Sequence, residues 1–540
     1  MSSFNIEFDQ LVRPTRLYSD YLSGKLREFY KYNFLDPGSL AAAAAEISAR
    51  QYQRQYFQKI LRENNIRLDA SSTTMRNIES LNRPETLCVF AGQQVSIGCS
   101  PLYVVYKALA TAKLADHFGT VLQRPVVPCF WLATDDHDFE EVRNVNFLKR
   151  TGELTTLSYD PENDPAGAPV AALTFDGGIG KFRAELDQAL IDTEFKGPLL
   201  EVISHWYKRG ATFAEAFGRL FNHFLGDCGI ILVDPNFPGL KELFKEIYLK
   251  EITGHDRSFD LYHQRTAQLV ARGYHAQVHK TGDNLNLFYH DTRRQNLAIA
   301  GAVIVSGDSA VSFNIEELSG LVESSPQKFS SNVLLRPIVQ CAVFPTLVQV
   351  VGPSELAYFA QIEPLFEHFG VSFPVVFPRS GMTIIEPHIR KIINKYGIEL
   401  PQLRNNLEAL TGEVVERLFP SQAAESVISL NKCLKEDLDR FARKLEKSDP
   451  EGYRHIVNFR QHIDYELQQL QKKLKSSNKK RHDELTEQIR KANAFLFPGG
   501  NLQERVLSPL YFANKFGPGI FKKIYEALDM ERPVHTVLEL

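Results

Sequence analysis

"RPETLCVFAGQQVSIGCSPLYVVYKALATAKLADHFG", residues 83–119, followed by "RPVVPCFWLAT", residues 124–134, decides the fold class. The run from Thr86 to Ala91 has the length and apolar content of a buried strand, and a Gly-containing loop follows it. A helix is expected from Ser100-Pro101, with Ser100 as N-cap, Pro101 at the first helical position and Gly119 as the stop. The second apolar run completes a β-α-β unit, whose strands must run parallel because a crossover helix joins them. The same order recurs in "CGIILVDPNFPGLKELFKEIYLKEI" (228–252) and in "TLVQVVGPSELAYFAQIEPLFEHFG" (346–370), before a last apolar run, "PVVFP" (374–378). The expectation is an α/β fold, a doubly wound parallel sheet of Rossmann-like type.

Other segments break that rhythm. "GYHAQVHKTGDNLNLFYHDTRRQNLAIAGAVIVSG" (273–307) predicts short strands and turns, an inserted β-rich module flanking the cleft. Past Pro387, Gly becomes rare and helical strips take over: Val427, Leu430, Leu434, Leu438, Phe441 and Leu445, then Ile456, Ile463, Leu467, Leu470 and Leu474, then Leu485, Ile489, Ala492 and Leu496. Apolar residues recurring at three and four predict an antiparallel helical hairpin or short coiled coil, packing within the chain or between two chains. The expected layout is a core over 1–390 with insertions at about 150–225 and 255–335, a coiled-coil domain over 391–498, and a 499–540 segment returning to the core.

With 540 residues, 44% hydrophobic and 24% charged, the chain is long enough for several globular units. A net charge of -3 provides no field for nucleic acid or an anionic membrane. The six cysteines lack a CxxC pair, as expected for reduced thiols rather than disulfides or a zinc knuckle. No leader pattern opens the sequence and no stretch reaches the roughly 20 apolar residues of a membrane span, so a cytoplasmic location is expected.

In an open α/β sheet, ligands sit beyond the carboxyl ends of the strands. In "AGQQVSIGCS" (91–100), Gly92 suits a tight turn, Gln93 and Gln94 offer amides, and a helix starting at Ser100 would favour an anion. Neither a Walker loop nor GxGxxG is present. In "FWLATDDHDFEEV" (130–142), Asp136, His137 and Asp138 should face the same edge as Gln93 and Gln94. Oxygen-rich metal binding, acid-base work by His137 and recognition of a cationic amine all suit that set, with zinc disfavoured because a lone His lacks partner ligands. Glu140 and Glu141 are expected to be helix-start residues complementing the dipole.

Ser354 and Glu355 lead into a helix, where Ser354 would cap it or touch an anion. Arg379 in "FPRSG" is a carboxylate or phosphate clamp or a plain surface arginine. His275, Gln277 and His279 would share one face if "YHAQVH" is a strand, and Arg336 in "LLRPIVQ" is ambiguous.

Assembled in order, "AGQQVSIGCSPLYVVYKALATAKLA", "CFWLATDDHDFEEVRNV", "VLLRPIVQCAVFPTLVQVVGPSELAYFAQI", "FPVVFPRSGMTIIE" and "NLQERVLSPLYFANKFG" resemble the bacillithiol-biosynthesis cysteine-adding family, BshC, over nearly the whole chain. The resemblance implies a Rossmann-like core with inserted connective segments, a coiled coil that pairs two copies as a homodimer, and amide formation between L-cysteine and the amine of glucosaminyl malate. It implies ATP as the activating nucleotide, and a core like that of class I nucleotidyl-transfer enzymes. Their HxGH and KMSKS signatures are absent here, with "GQQVSIG" in the place of the first.

The roles it suggests are an anion site at Gln93, Gln94 and Ser100, amine binding by Asp136 and Asp138, proton removal by His137, and a malate contact at Arg379. Rival expectations are a metal-dependent hydrolase built on the acidic cluster and a non-catalytic coiled-coil scaffold.

Overall fold

The computed structural model describes residues 2–540 apart from 166, 292, 308–309, 419–421 and 531. It divides into two compact units, one of residues 1–384 with 501–538, the other of residues 385–500 with 539–540.

The first unit is organised on five strands, β1 (Leu87–Gln93), β2 (Val126–Leu132), β3 (Ile231–Val233), β4 (Thr346–Val351) and β5 (Val375–Pro378), in spatial order β5-β4-β1-β2-β3. All neighbours are parallel. Near-continuous apolar runs are what a sheet covered on both faces requires, and Leu87 to Ala91, Cys129 to Leu132 and Ile231 to Val233 are all buried. The chain moves outward from β1 to β3 and then returns to the other side of β1 for β4. The β1/β4 junction is therefore the point where strand order reverses and a crevice opens at the carboxyl edge.

Register fixes what meets there. Gln93 pairs with Leu132, so Gln94 and the loop after β2 leave the sheet side by side. Gly92 is required in this place, because a Cβ on it would lie 2.9 Å from Trp131 Cβ.

Three long helices follow strands: α1 (Tyr103–Leu122), α2 (Lys245–Ala271) and α3 (Pro353–His368). The expected start of α1 at Ser100 is corrected. Ser100 is extended at φ -85°, ψ 153°, as a residue before proline prefers, and Leu102 takes the N-cap, so the helix runs from Tyr103.

Between β2 and β3 lie a hairpin (Asn144–Leu148 with Leu154–Ser158) and helices Gly178–Ala189, Lys196–Trp206 and Phe213–Leu225. Between α2 and β4 the predicted β-rich module is a five-stranded antiparallel sheet that includes Asn284–His290, Arg294–Ala300 and Val303–Ser306. The 275–279 stretch is not one of its strands. The amides of Gln277 and Val278 instead donate to Gln361 Oε1 at 3.1 and 3.0 Å, so His275, Gln277 and His279 share no strand face.

The second unit is helical, with α4 (Gln422–Leu445) and α5 (Pro450–Leu496) forming the expected hairpin. Asn431 donates to Asp464 at 3.0 Å across it. Leu485, Ile489, Ala492 and Leu496 are buried, whereas Leu430, Phe441 and Leu470 of the predicted strips are exposed. The side chain of Leu474 lies outside the described residues. No helix among the described residues is long and apolar enough to cross a membrane.

Candidate functional site

The loop after β2 is pinned at three successive positions. Ala133 N–H donates to Gln93 O at 2.9 Å, the buried Thr134 hydroxyl donates to Asp234 Oδ1 at 2.6 Å, and Asp135 accepts from Lys241 Nζ at 2.9 Å. Lys241 also donates to Phe329 O at 2.7 Å, tying the loop to the antiparallel module. Burial would raise Asp135, but the Lys241 ammonium prevails and holds its carboxyl below the usual range. Asp234 shows the opposite balance: burial pushes it up against the pull of Thr134.

This rigid base presents Asp136, His137 and Asp138. Gln94 Nε2 donates to Asp136 Oδ2 at 2.6 Å, so the sequence-predicted pair from two different strands does meet. Asp136 Oδ1 accepts from the His137 amide at 2.8 Å and lies 3.6 Å from Arg294 Nη1. Asp138 caps the short helix Phe139–Val142, accepting from Glu141 N at 3.2 Å, so part of its hydrogen-bonding capacity is structural.

These residues line a cavity of about 850 Å³ together with Phe139, Glu140, Glu141, Arg143, Asp160 and Asp164. Arg143 of its lining pairs with Glu140 and Asp160 and Arg294 approaches Asp136 from behind, so among the described residues the wall stays acid-rich and suited to a cationic group. Desolvation, and then the charges of Asp138 and Asp136, push Glu141 up, although a hydrogen bond from Gln94 opposes them. No group of three or more His, Cys, Asp and Glu among the described residues is arranged to hold a metal.

The remaining predicted residues gather elsewhere, along the β1/β4 crevice. Gln93 donates to the Tyr103 hydroxyl at 2.9 Å. Glu355 reaches back to Gly352 N at 2.8 Å and accepts from Lys107 Nζ at 2.5 Å, while Lys107 also donates to Gly92 O at 2.8 Å. Lys107 is only 2% exposed; burial lowers its pKa and Glu355 restores part of the loss.

Arg379 is not an exposed clamp. It is 7% exposed, donates to Glu504 Oε1 at 2.7 Å, and lies 5.3 Å from the Tyr103 ring centroid. Burial works against its charge, but Glu504 outweighs that and raises it. Ser354 is corrected as a cap, since Gly352 occupies the N-cap and Ser354 is exposed as the second residue of the helix. Ser100 is buried, and its carbonyl accepts from Ser96 Oγ. It presents no helix N-terminus to an anion.

Sequence reasoning missed Arg294, Lys107, Lys241 and Asp234. Asp234 had a signal, because it follows β3 as Asp135 follows β2. Lys107 sits inside an otherwise apolar helical run, and a lysine there needs a buried partner. Arg294 had none, since it comes from an inserted strand some 150 residues away from His137.

A five-stranded parallel sheet with polar groups at its switch point, joined in sequence to a helical hairpin, defines a Rossmann-like protein with a coiled-coil appendage. The chain belongs to the BshC family of bacillithiol biosynthesis: residues 1–380 match its N-terminal Rossmann-like domain and residues 382–540 its C-terminal coiled-coil domain. Relatives carrying the name "Putative cysteine ligase BshC" include one from Salinibacter ruber, 30% identical over 533 residues, covering 97% of this chain and 96% of the relative. Others come from Chloroherpeton thalassium, 29% identical with 98% of each chain covered, and Chlorobaculum tepidum, 29% identical with 100% of each covered.

Proposed function

We propose that this chain is a cysteine ligase that joins the carboxyl group of L-cysteine to the amine of glucosaminyl malate, the last step of bacillithiol assembly. A free carboxylate is a poor acyl donor, so ATP is assigned the activation, as an acyl phosphate or adenylate. The amine then attacks the acyl carbon, the C–N bond forms, the phosphate or AMP leaves, and the amine gives up a proton. Family membership supports the pathway, and the names its relatives carry support cysteine as a substrate.

The observation that carries the site assignment is the meeting of Gln94 and Asp136 on the wall of an acid-rich cavity. Asp136 and Asp138 suit an ammonium, and His137 is within reach of whatever amine they hold. The β1/β4 crevice, with Gln93, Lys107, Glu355 and Arg379, is assigned to the anionic partner. Lys107 and Arg379 supply its cations, each paired with a carboxylate, so an anionic partner would be held by their hydrogen-bond donors rather than by a net positive field.

A homodimer through the coiled coil is part of this reading. Ile428, Phe441, Phe459 and Tyr465 are each more than half exposed on the hairpin. Apolar surface of that kind gains by burial against a second copy. The test is replacement of the native gene by Asp136→Asn or His137→Ala. Loss of bacillithiol with accumulation of glucosaminyl malate is expected; unchanged levels with stable protein would reject the site.

A further inference from the structure

The tautomer of His137 in the proposed site is set from outside its own loop. Its Nδ1 has two neighbours: Arg294 Nη1 at 3.3 Å, in hydrogen-bonding geometry, and Asp136 Oδ1 at 3.6 Å, too long for one. A guanidinium can only donate, so the shorter contact requires a lone pair on Nδ1, and the ring proton of neutral His137 must then be on Nε2. The competing arrangement, Nδ1–H directed to Asp136, would leave Nε2 as the base.

Arg294 is firmly held in its position. Its side chain is 10% exposed, it stacks 3.8 Å from the Phe288 ring centroid, and it donates to Ser330 Oγ at 3.3 Å and Ser331 O at 3.2 Å. Asp136 is drawn the other way, with Oδ2 taken by Gln94 and Oδ1 by the His137 amide. The other charged groups around this corner are His290, which meets Ser330 at 2.6 Å, and the Asp135–Lys241 pair. Burial, followed by the Lys241 charge, holds His290 down at about 4, so it adds no cation at neutral pH.

We propose that Arg294 is a positioning residue of this site, which fixes His137 as an Nε2–H hydrogen-bond donor to an anionic oxygen of the reacting group. This rests on the assignment of the 133–138 loop to the reaction site and changes the role given to His137 there. Proton removal from the amine then passes to a carboxylate that lines the cavity.

The test is the tautomer of His137 in the full-length protein labelled with ¹⁵N-histidine, its signal identified by its loss in His137→Gln. In mildly alkaline buffer, long-range nitrogen–proton correlation should show Nδ1 unprotonated and Nε2 protonated. Arg294→Met should move the proton to Nδ1, and Arg294→Lys should leave most of it on Nε2. A wild-type ring protonated on Nδ1 overturns the inference, as does a folded Arg294→Met protein with an unchanged pattern. If Arg294→Met does not fold, the wild-type signal alone decides. No substrate is needed, so the expected tautomer in a protein that forms no amide would count against the proposed reaction and leave the positioning role standing.

Discussion

Replacing Glu504 by Gln removes a charge from a deeply buried ion pair of the Rossmann-like unit while conserving volume. Arg379 and Glu504 are 7% and 1% exposed, and the carboxylate also accepts from Met382 N at 2.8 Å. The amide can keep the Met382 contact through its oxygen, but its NH2 then faces the guanidinium, so the loss combines the charge with the Arg379 hydrogen bond. Breaking one side of a buried pair costs about 3–5 kcal/mol, because the guanidinium stays charged without its counterion. At a urea slope of about 3 kcal/mol/M, this moves the unfolding midpoint down by on the order of 1 M.

Both tryptophans, Trp131 and Trp206, lie in this unit, so their fluorescence reports its unfolding. Adding Arg379→Met to Glu504→Gln should recover part of the loss, because no unpaired charge remains. The pH dependence has a definite sign. Burial would raise Glu504, but Arg379 holds it below its ordinary value of 4.5, so the pair's contribution is present at neutral pH and lost as pH falls through the lowered value. The gap between wild type and Glu504→Gln should therefore close in acid. A single variant as stable as wild type, or a double variant weaker than Glu504→Gln, would refute the reasoning.

Lys107→Met should cost less, roughly 1–3 kcal/mol in the same assay, because its partner Glu355 is 23% exposed and can be rehydrated. A loss as large as that of Glu504→Gln would show that the crevice is drier than its geometry indicates. Gly92→Ala forces a Cβ to within 2.9 Å of Trp131 Cβ and should lower stability by about 1–3 kcal/mol, read as a lower thermal midpoint. An unchanged midpoint would mean that β1 and β2 separate more easily than this packing allows. Sedimentation of the wild type should give twice the mass of the 61.3 kDa chain, and Phe441→Glu with Phe459→Glu should give the monomer. A monomeric wild type would remove the homodimer.

The fold was legible because its signals are local. A run such as Cys129 to Leu132 is apolar at every position, which only a two-sided buried strand tolerates, and the strip Leu485, Ile489, Ala492 and Leu496 keeps helical spacing. The start of α1 was misread because Ser-Pro is a common helix opening, whereas here Ser100 is extended before Pro101 and Leu102 takes the N-cap. The candidate site was legible in one half. Gln94 and Asp136 could be placed together because parallel strands end at one edge, whereas Arg294 arrives on an inserted sheet whose docking no periodicity encodes. Arg379 appeared available because a sequence cannot show that Glu504 neutralises it.

The central claim is tested most directly by metabolite analysis of a strain lacking this gene and complemented with wild type or Asp136→Asn. The account predicts that the strain lacks bacillithiol and accumulates glucosaminyl malate, and that wild type reverses both while a stably expressed Asp136→Asn protein does not. Normal bacillithiol in the deletion strain, without glucosaminyl malate accumulation, would contradict it.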